Sequence, residues 1–214
     1  MGESTAKKGN MGRAWAVVLV VFIAGFCMPA NMGKTMWIAP LVMEHFGFGP
    51  DILGWVNGVF YILGAVIAFP AASFIRRLGI RWSVVIALCC GIIGNVLGAI
   101  SQDVVMLMVS RIIEGAGFGL MGVIGVAAIT PWFPAERRGL PLGVWAMWVA
   151  AANAITPMFD TAIAESTGSY VNVWWFFLAF DIVVLVLFLL VYREPSDPFI
   201  DEAEYLRDII DRKS

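Results

Sequence analysis

Charge is scarce in this sequence. Asp, Glu, Lys and Arg together make 14% of 214 residues, against about a quarter in an ordinary soluble domain. Histidine occurs once, and cysteine three times. Cys27, Cys89 and Cys90 all stand inside apolar runs without metal-ligand spacing, so they read as small buried hydrophobes and imply neither zinc nor a disulfide framework. His45 sits at the end of an apolar run, where an interfacial polar role outweighs proton shuttling. No nucleophile with a matching base, no metal cluster and no phosphate loop is present, so neither an enzyme nor a cofactor is expected. Nucleic acid is not an expected partner either.

Apolar residues fill the space that charge leaves, at 60% of the chain with a mean hydropathy of +0.85. The expected fold class is therefore an all-α membrane protein with the lipid bilayer as its solvent. Six spans are predicted, over residues 14–43, 52–75, 82–100, 104–130, 139–163 and 171–192. A polar tail over 1–13 precedes this bundle, and an acidic segment over 193–214 follows it. In that segment Asp197 and Pro198 resemble a helix start, and Phe199, Ala203, Leu206 and Ile210 recur at amphipathic-helix steps. The first run, about 45 Å if wholly helical, exceeds the roughly 30 Å of a bilayer core, and Pro29, Gly33 and Pro40 supply kink points. It is also too long for a signal-peptide core.

Twelve of the 14 Lys and Arg fall at the amino-terminal side of these spans, among them Arg76, Arg77, Arg81, Arg137 and Arg138, whereas Glu44, Asp51, Asp103 and Glu165 fall on the other. That asymmetry places both termini in the cytoplasm. The remaining two cations lie inside spans. Arg111 is about 10 Å into the fourth run, where a charge costs on the order of 3 kcal/mol. Lys34 lies roughly 14 Å from the far end of the first, deeper than its stem comfortably snorkels. Glu114 stands within a helical turn of Arg111, so the pair either fixes packing or serves a function. Asp181, in the middle of the sixth run, is a packing residue or a proton site. Gly115 and Gly119, and likewise Gly94 and Gly98, form small-residue faces for close helix contact.

The segment Arg111 to Gly119, R-I-I-E-G-A-G-F-G, resembles the fourth-helix motif of the major facilitator superfamily, and residues 14–192 are similar to the amino-terminal half of such a transporter. The stretch Ala71 to Arg81 resembles the family's motif between helices two and three, with Arg76, Arg77, Gly79 and Arg81 as its gating-loop residues. It departs at Arg76, where the family has aspartate, and at Ala72, where it has glycine. Asn31 to Gly47 and Trp132 to Trp148 resemble the cyanate and nitrate/nitrite type permeases. The resemblance implies a six-helix half with a 3+3 inverted repeat in a cell membrane, of the prokaryotic inner-membrane kind. It also implies a second six-helix half, as a separate chain or a homodimer. The implied substrate is a small anion held by Lys34 and Arg111 and moved by alternating access, with Glu114 and Asp181 as proton-coupling residues. Asn31, Thr35, Asn57, Tyr61, Trp145, Trp148 and Asn153 are further cavity candidates. A non-transporting membrane subunit, with the buried charges serving assembly, is the alternative.

Overall fold

The computed structural model describes residues 11–193, and the expected tail helix around Phe199 to Ile210 lies outside them. Among the described residues seven α-helices carry the fold: α1 (Met11–Trp37), α2 (Ala39–Phe46), α3 (Pro50–Ala99), α4 (Val104–Ile129), α5 (Gly139–Ala146), α6 (Trp148–Thr167) and α7 (Tyr170–Val191). No strand occurs among the described residues.

Five continuous stretches are long and apolar enough to cross a membrane, α5 and α6 counting as one of 29 residues. The 50-residue α3 is two crossings joined end to end, because Gly79 breaks it with φ 78° and ψ 165°. Counting its two halves separately gives six apolar stretches among the described residues. The basic stretch expected as a loop around Arg76 to Arg81 is thus helical on both sides of one residue. The first run differs too. Its helix stops at Trp37, Ile38 leaves helical geometry, and Pro40, fitted to a first helical turn, opens the short α2. Glu44 and His45, at the edge of an expected loop, are in that helix, which Gly47 ends in the left-handed conformation.

At the start of α4 the Asp103 side chain accepts a hydrogen bond from the Met106 amide at 2.8 Å, satisfying one free N–H of the first turn. Its other end gives way to two short 3-10 turns, over Thr130–Trp132 and Ala135–Arg137, where Pro131 and Pro134 cannot donate to a continuing helix.

Helix α1 is the centre of the bundle, with α3, α4, α6 and α7 packed around it. Two apolar cores form along its length. One gathers Val17, Val21, Ala24 and Met28 with Ile124, Trp145 and Phe188. The other gathers Ala30, Ile38 and Val42 with Leu107, Trp174 and Phe177. The polar residues of α1 from Asn31 to Thr35 fall at the junction of the two. In sequence order along α4, Arg111 and Glu114 fall at the same junction, between Leu107 and Ile124.

Candidate functional site

Both buried cations converge on one carboxylate. Lys34 and Arg111 are fully buried and Glu114 is 1% exposed. The Lys34 ammonium donates to Oε1 of Glu114 at 2.6 Å, and the Arg111 guanidinium donates to Oε2. Each oxygen of a single carboxylate therefore serves one cation. The same Nη1 also donates to the carbonyl of Asn31 and Nη2 to that of Met32, both at 2.8 Å, while Nε has no hydrogen-bond partner among the described residues. Those carbonyls belong to the last turns of α1, where the helix dipole is negative, so a guanidinium there is favoured by charge as well as by hydrogen bonding. Arg111 is thus tied to α1 as firmly as to its own helix.

Two amides and a second carboxylate complete the cluster. Lys34 also donates to Oδ1 of Asn31 at 3.0 Å and to Oδ1 of Asn95 at 2.5 Å. With Glu114 that uses all three of its protons. Asp181 receives hydrogen bonds from the amides of Asn31 at 2.9 Å and Asn95 at 3.0 Å, both on one oxygen, while its other oxygen has no donor among the described residues. Aromatic rings close the cluster. The Lys34 ammonium is 4.7 Å from the centre of the Trp174 ring, and the Arg111 guanidinium is 4.6 Å from that of Phe60, distances at which ring quadrupoles attract a cation.

Glycines make the space for these side chains. A Cβ at Gly91 would meet Asp181, one at Gly94 would meet Glu114, and one at Gly98 would meet the Trp174 ring. On α4 the reason is different, since a Cβ at Gly115 or Gly119 would run into the backbone carbonyls of Phe60 and Gly64. The close helix contact expected of Gly115 and Gly119 is present. For Gly94 and Gly98 the neighbours include side chains of the site itself.

The remaining expected residues divide. Thr35 donates to Asn57 Oδ1 at 2.6 Å, and Asn57 in turn donates to the Leu53 carbonyl at 2.9 Å, so these two link α1 to α3 beside the cluster. Trp145 and Trp148 are buried and stacked, ring centres 4.9 Å apart, with Trp145 seated against Gly25 and Gly125. They are packing residues of the core and do not touch the charged cluster. Tyr61 and Asn153 are exposed on the outer surface of this bundle. At the α3 break, Arg76 donates to the Ser73 hydroxyl at 3.0 Å and Arg81 to the Leu189 carbonyl at 3.4 Å, while Arg77 is exposed. These arginines and Gly79 do not approach the cluster. Asn95 is the participant that sequence reasoning left out of the site. Its signal was that it is the one amide in the third apolar run.

The family model described as Major Facilitator Superfamily matches residues 21–211. An uncharacterized MFS-type transporter of Mycobacterium tuberculosis is 26% identical over 184 residues, 86% of this chain and 31% of that protein. The dehydrocurvularin exporter of Alternaria cinerariae is 23% identical over 186 residues, 86% and 31% of the two chains. The lincomycin resistance protein LmrB of Bacillus subtilis is also 23% identical over 186 residues, 86% and 38% respectively. This chain thus spans about a third of the length of the curated relatives it matches. The crystal structure of a D-xylose-proton symporter shares its fold, with a TM-score of 0.72 at 18% identity, over 93% of this chain and 53% of that one.

Proposed function

Since the chain belongs to the major facilitator superfamily, we propose that it is a transport half that moves a small anion together with a proton by alternating access. The observation that carries this reading is the Glu114 carboxylate, held with one oxygen on Lys34 and the other on Arg111. A carboxylate placed so between two cations occupies the position a small oxyanion would take. While Glu114 is ionised, it competes with substrate. Once protonated, it no longer neutralises the cations, and Lys34 and Arg111 are free to bind an anion in a poorly solvated site, where Coulomb attraction is stronger than in water. Arg111 adds a planar fork suited to oxyanions. Proton and anion enter together, so the net charge of the cluster is unchanged by loading. Asp181, tied to Lys34 through Asn31 and Asn95, is a second acceptor for the proton.

In this reading a second six-helix half, on a separate chain or a second copy, encloses the site, and rocking of one bundle against the other exposes it to each side in turn. The host membrane is the cell membrane, of the prokaryotic inner-membrane kind. The test is uptake of a panel of small anions by the complete transporter in liposomes. Lys34→Gln and Arg111→Gln are expected to lower uptake at least tenfold. Glu114→Gln, which removes the competing carboxylate, is expected to bind the anion more tightly than the wild type. If folded Lys34→Gln and Arg111→Gln variants both retain wild-type uptake, the reading fails.

A second reading takes its support from relatives named as a dehydrocurvularin exporter and a lincomycin resistance protein and from an aromatic row. Phe60, Phe118 and Trp148 follow one another with ring centres 5.4 and 5.3 Å apart. There the substrate is a larger, mainly apolar molecule and the charged cluster handles protons alone. Including lincomycin in the uptake panel separates the two readings.

A further inference from the structure

A cavity of about 360 Å³ lies at the end of the bundle where the Lys and Arg residues gather. Trp15 is one of its walls, and Trp15 and Lys34 stand 19 positions apart on α1, or about 28 Å at 1.5 Å per residue. The cavity is therefore separate from the charged cluster. Its walls are apolar, with the Trp15 and Phe133 rings edge to face at 5.7 Å and Met11 and Leu140 beside them, while Glu136 and Arg137 form a charged lip.

The level of this cavity in a bilayer follows from the helices around it. Met11 opens α1, and Gly139 and Leu140 open the 29-residue apolar stretch that holds α5 and α6. Both stretches begin a crossing, so the cavity is at the depth of the headgroups, where Trp side chains such as Trp15 are enriched. Leu140 is 68% exposed and Met11 47%, so the apolar wall runs out onto a surface that the bilayer would cover.

The charge at the lip is mainly positive. Besides Arg137, Arg138 donates from Nε to the carbonyl of the wall residue Phe133 at 2.9 Å, and the Arg13 guanidinium is 5.9 Å from the centre of the neighbouring Trp132 ring. Against these three arginines stands one carboxylate in the lining, Glu136. Among the described residues none of the four makes an ion pair. The first turn of α5, from Gly139 to Pro141, also lines the cavity, and no side chain caps that helix. Its positive dipole end and free amides therefore favour an anion there.

From this arrangement we propose that the cavity holds an anionic glycerophospholipid of the cytoplasmic leaflet, the side to which the charge asymmetry assigns this end. The phosphate sits against Arg137 and the first turn of α5, and an acyl chain leaves over Trp15, Phe133 and Leu140. Glu136 accepts hydrogen bonds from hydroxyls of the headgroup. Basic pockets between membrane helices on the cytoplasmic side commonly hold anionic headgroups, and here the pocket also has an apolar exit for the chain. Segment 194–214 competes for the same place, with Phe199, Leu206 and Ile210 beside seven acidic and three basic residues. The lipid is favoured because the exposed rim at Met11 and Leu140 joins the cavity to the bilayer, whose anionic inner surface repels that acidic segment.

The test uses the full chain in nanodiscs of equal parts phosphatidylglycerol, phosphatidylethanolamine and phosphatidylcholine. A photoreactive residue replaces Leu140, and mass spectrometry identifies what it captures. Phosphatidylglycerol is expected in at least three times as many adducts as either other lipid. Arg137→Gln should bring the three lipids close to equality, and Arg137→Lys should keep part of the preference. Arg77→Gln removes an exposed arginine outside the cavity lining and should leave the preference unchanged. Equal capture of the three lipids, an excess of phosphatidylethanolamine, or capture of residues 194–214 in place of lipid overturns the proposal. So does a preference that survives Arg137→Gln in the folded protein, or one that Arg77→Gln weakens as much, which marks overall surface charge. No transport is involved, so the outcome is independent of the function proposed above.

Discussion

At the scale of single residues, the cluster is a buried charge triad whose members depend on one another. Removing one partner of a buried ion pair leaves the other uncompensated, which typically costs about 3–5 kcal/mol. Glu114→Ala strands two cations at once and is expected to reach at least that range, whereas Glu114→Gln, which still accepts hydrogen bonds, should cost less. Thermal unfolding in mild detergent measures both. Asn95 offers a second check, since it accepts from Lys34 and donates to Asn31 and Asp181. Asn95→Leu removes all three bonds and is expected to cost about 2 kcal/mol or more, as hydrogen bonds to charged groups are worth about 1.5–3 kcal/mol each. A loss no larger than that of a surface substitution would show that the network rearranges around it. Lys34, Arg111 and Glu114 were legible in the sequence because a charge inside an apolar run needs an explanation. Asn95 was not, since a lone amide in a membrane helix serves packing as readily as function, and its partners stand 61 to 86 residues away.

Among the helices, close approach rests on missing side chains. Gly115→Ala and Gly119→Ala each push a methyl group into the α3 backbone and are expected to destabilise by about 1–3 kcal/mol. Gly122 is on the same helix, but a Cβ there would have its nearest neighbour, the Trp148 ring, 3.9 Å away. Gly122→Ala should therefore be neutral or stabilising by up to about 1 kcal/mol. Equal unfolding temperatures across the three variants would contradict this account of the seam. Gly79 tests another mechanism. With φ at 78°, Gly79→Ala imposes backbone strain of about 1 kcal/mol or more at the turn between two crossings. The Gly115 and Gly119 face was readable from spacing alone. What approached it was not, and for Gly94 and Gly98 the same spacing accommodates Glu114 and the Trp174 ring.

For the molecule as a whole, the decisive quantity is which surface is left uncovered. Lys34, Arg111 and Glu114 are enclosed within the single bundle, so a partner half is not needed to shield them from lipid, contrary to what their isolated placement in the sequence suggests. The partner half proposed here instead covers part of a surface that carries exposed Met36, Trp37, Tyr61 and Asn153. Mass measurement in nanodiscs, with a disulfide crosslink through Met36→Cys, is expected to show a second copy or a co-expressed half at that face. A stable single bundle that transports alone would remove the two-half proposal.

Composition alone determined that this chain crosses a membrane, because an apolar share of 60% with 14% charge leaves too little polar surface to cover a soluble domain. The buried charges stood out by cost. Tertiary structure decided how those charges are paired. Residues 31, 34, 95, 111, 114 and 181 come from four helices, and spacing along a chain carries no information about which side chains share a space. That is why the two cations read as an open anion site in sequence, while in the folded bundle Glu114 already lies between them.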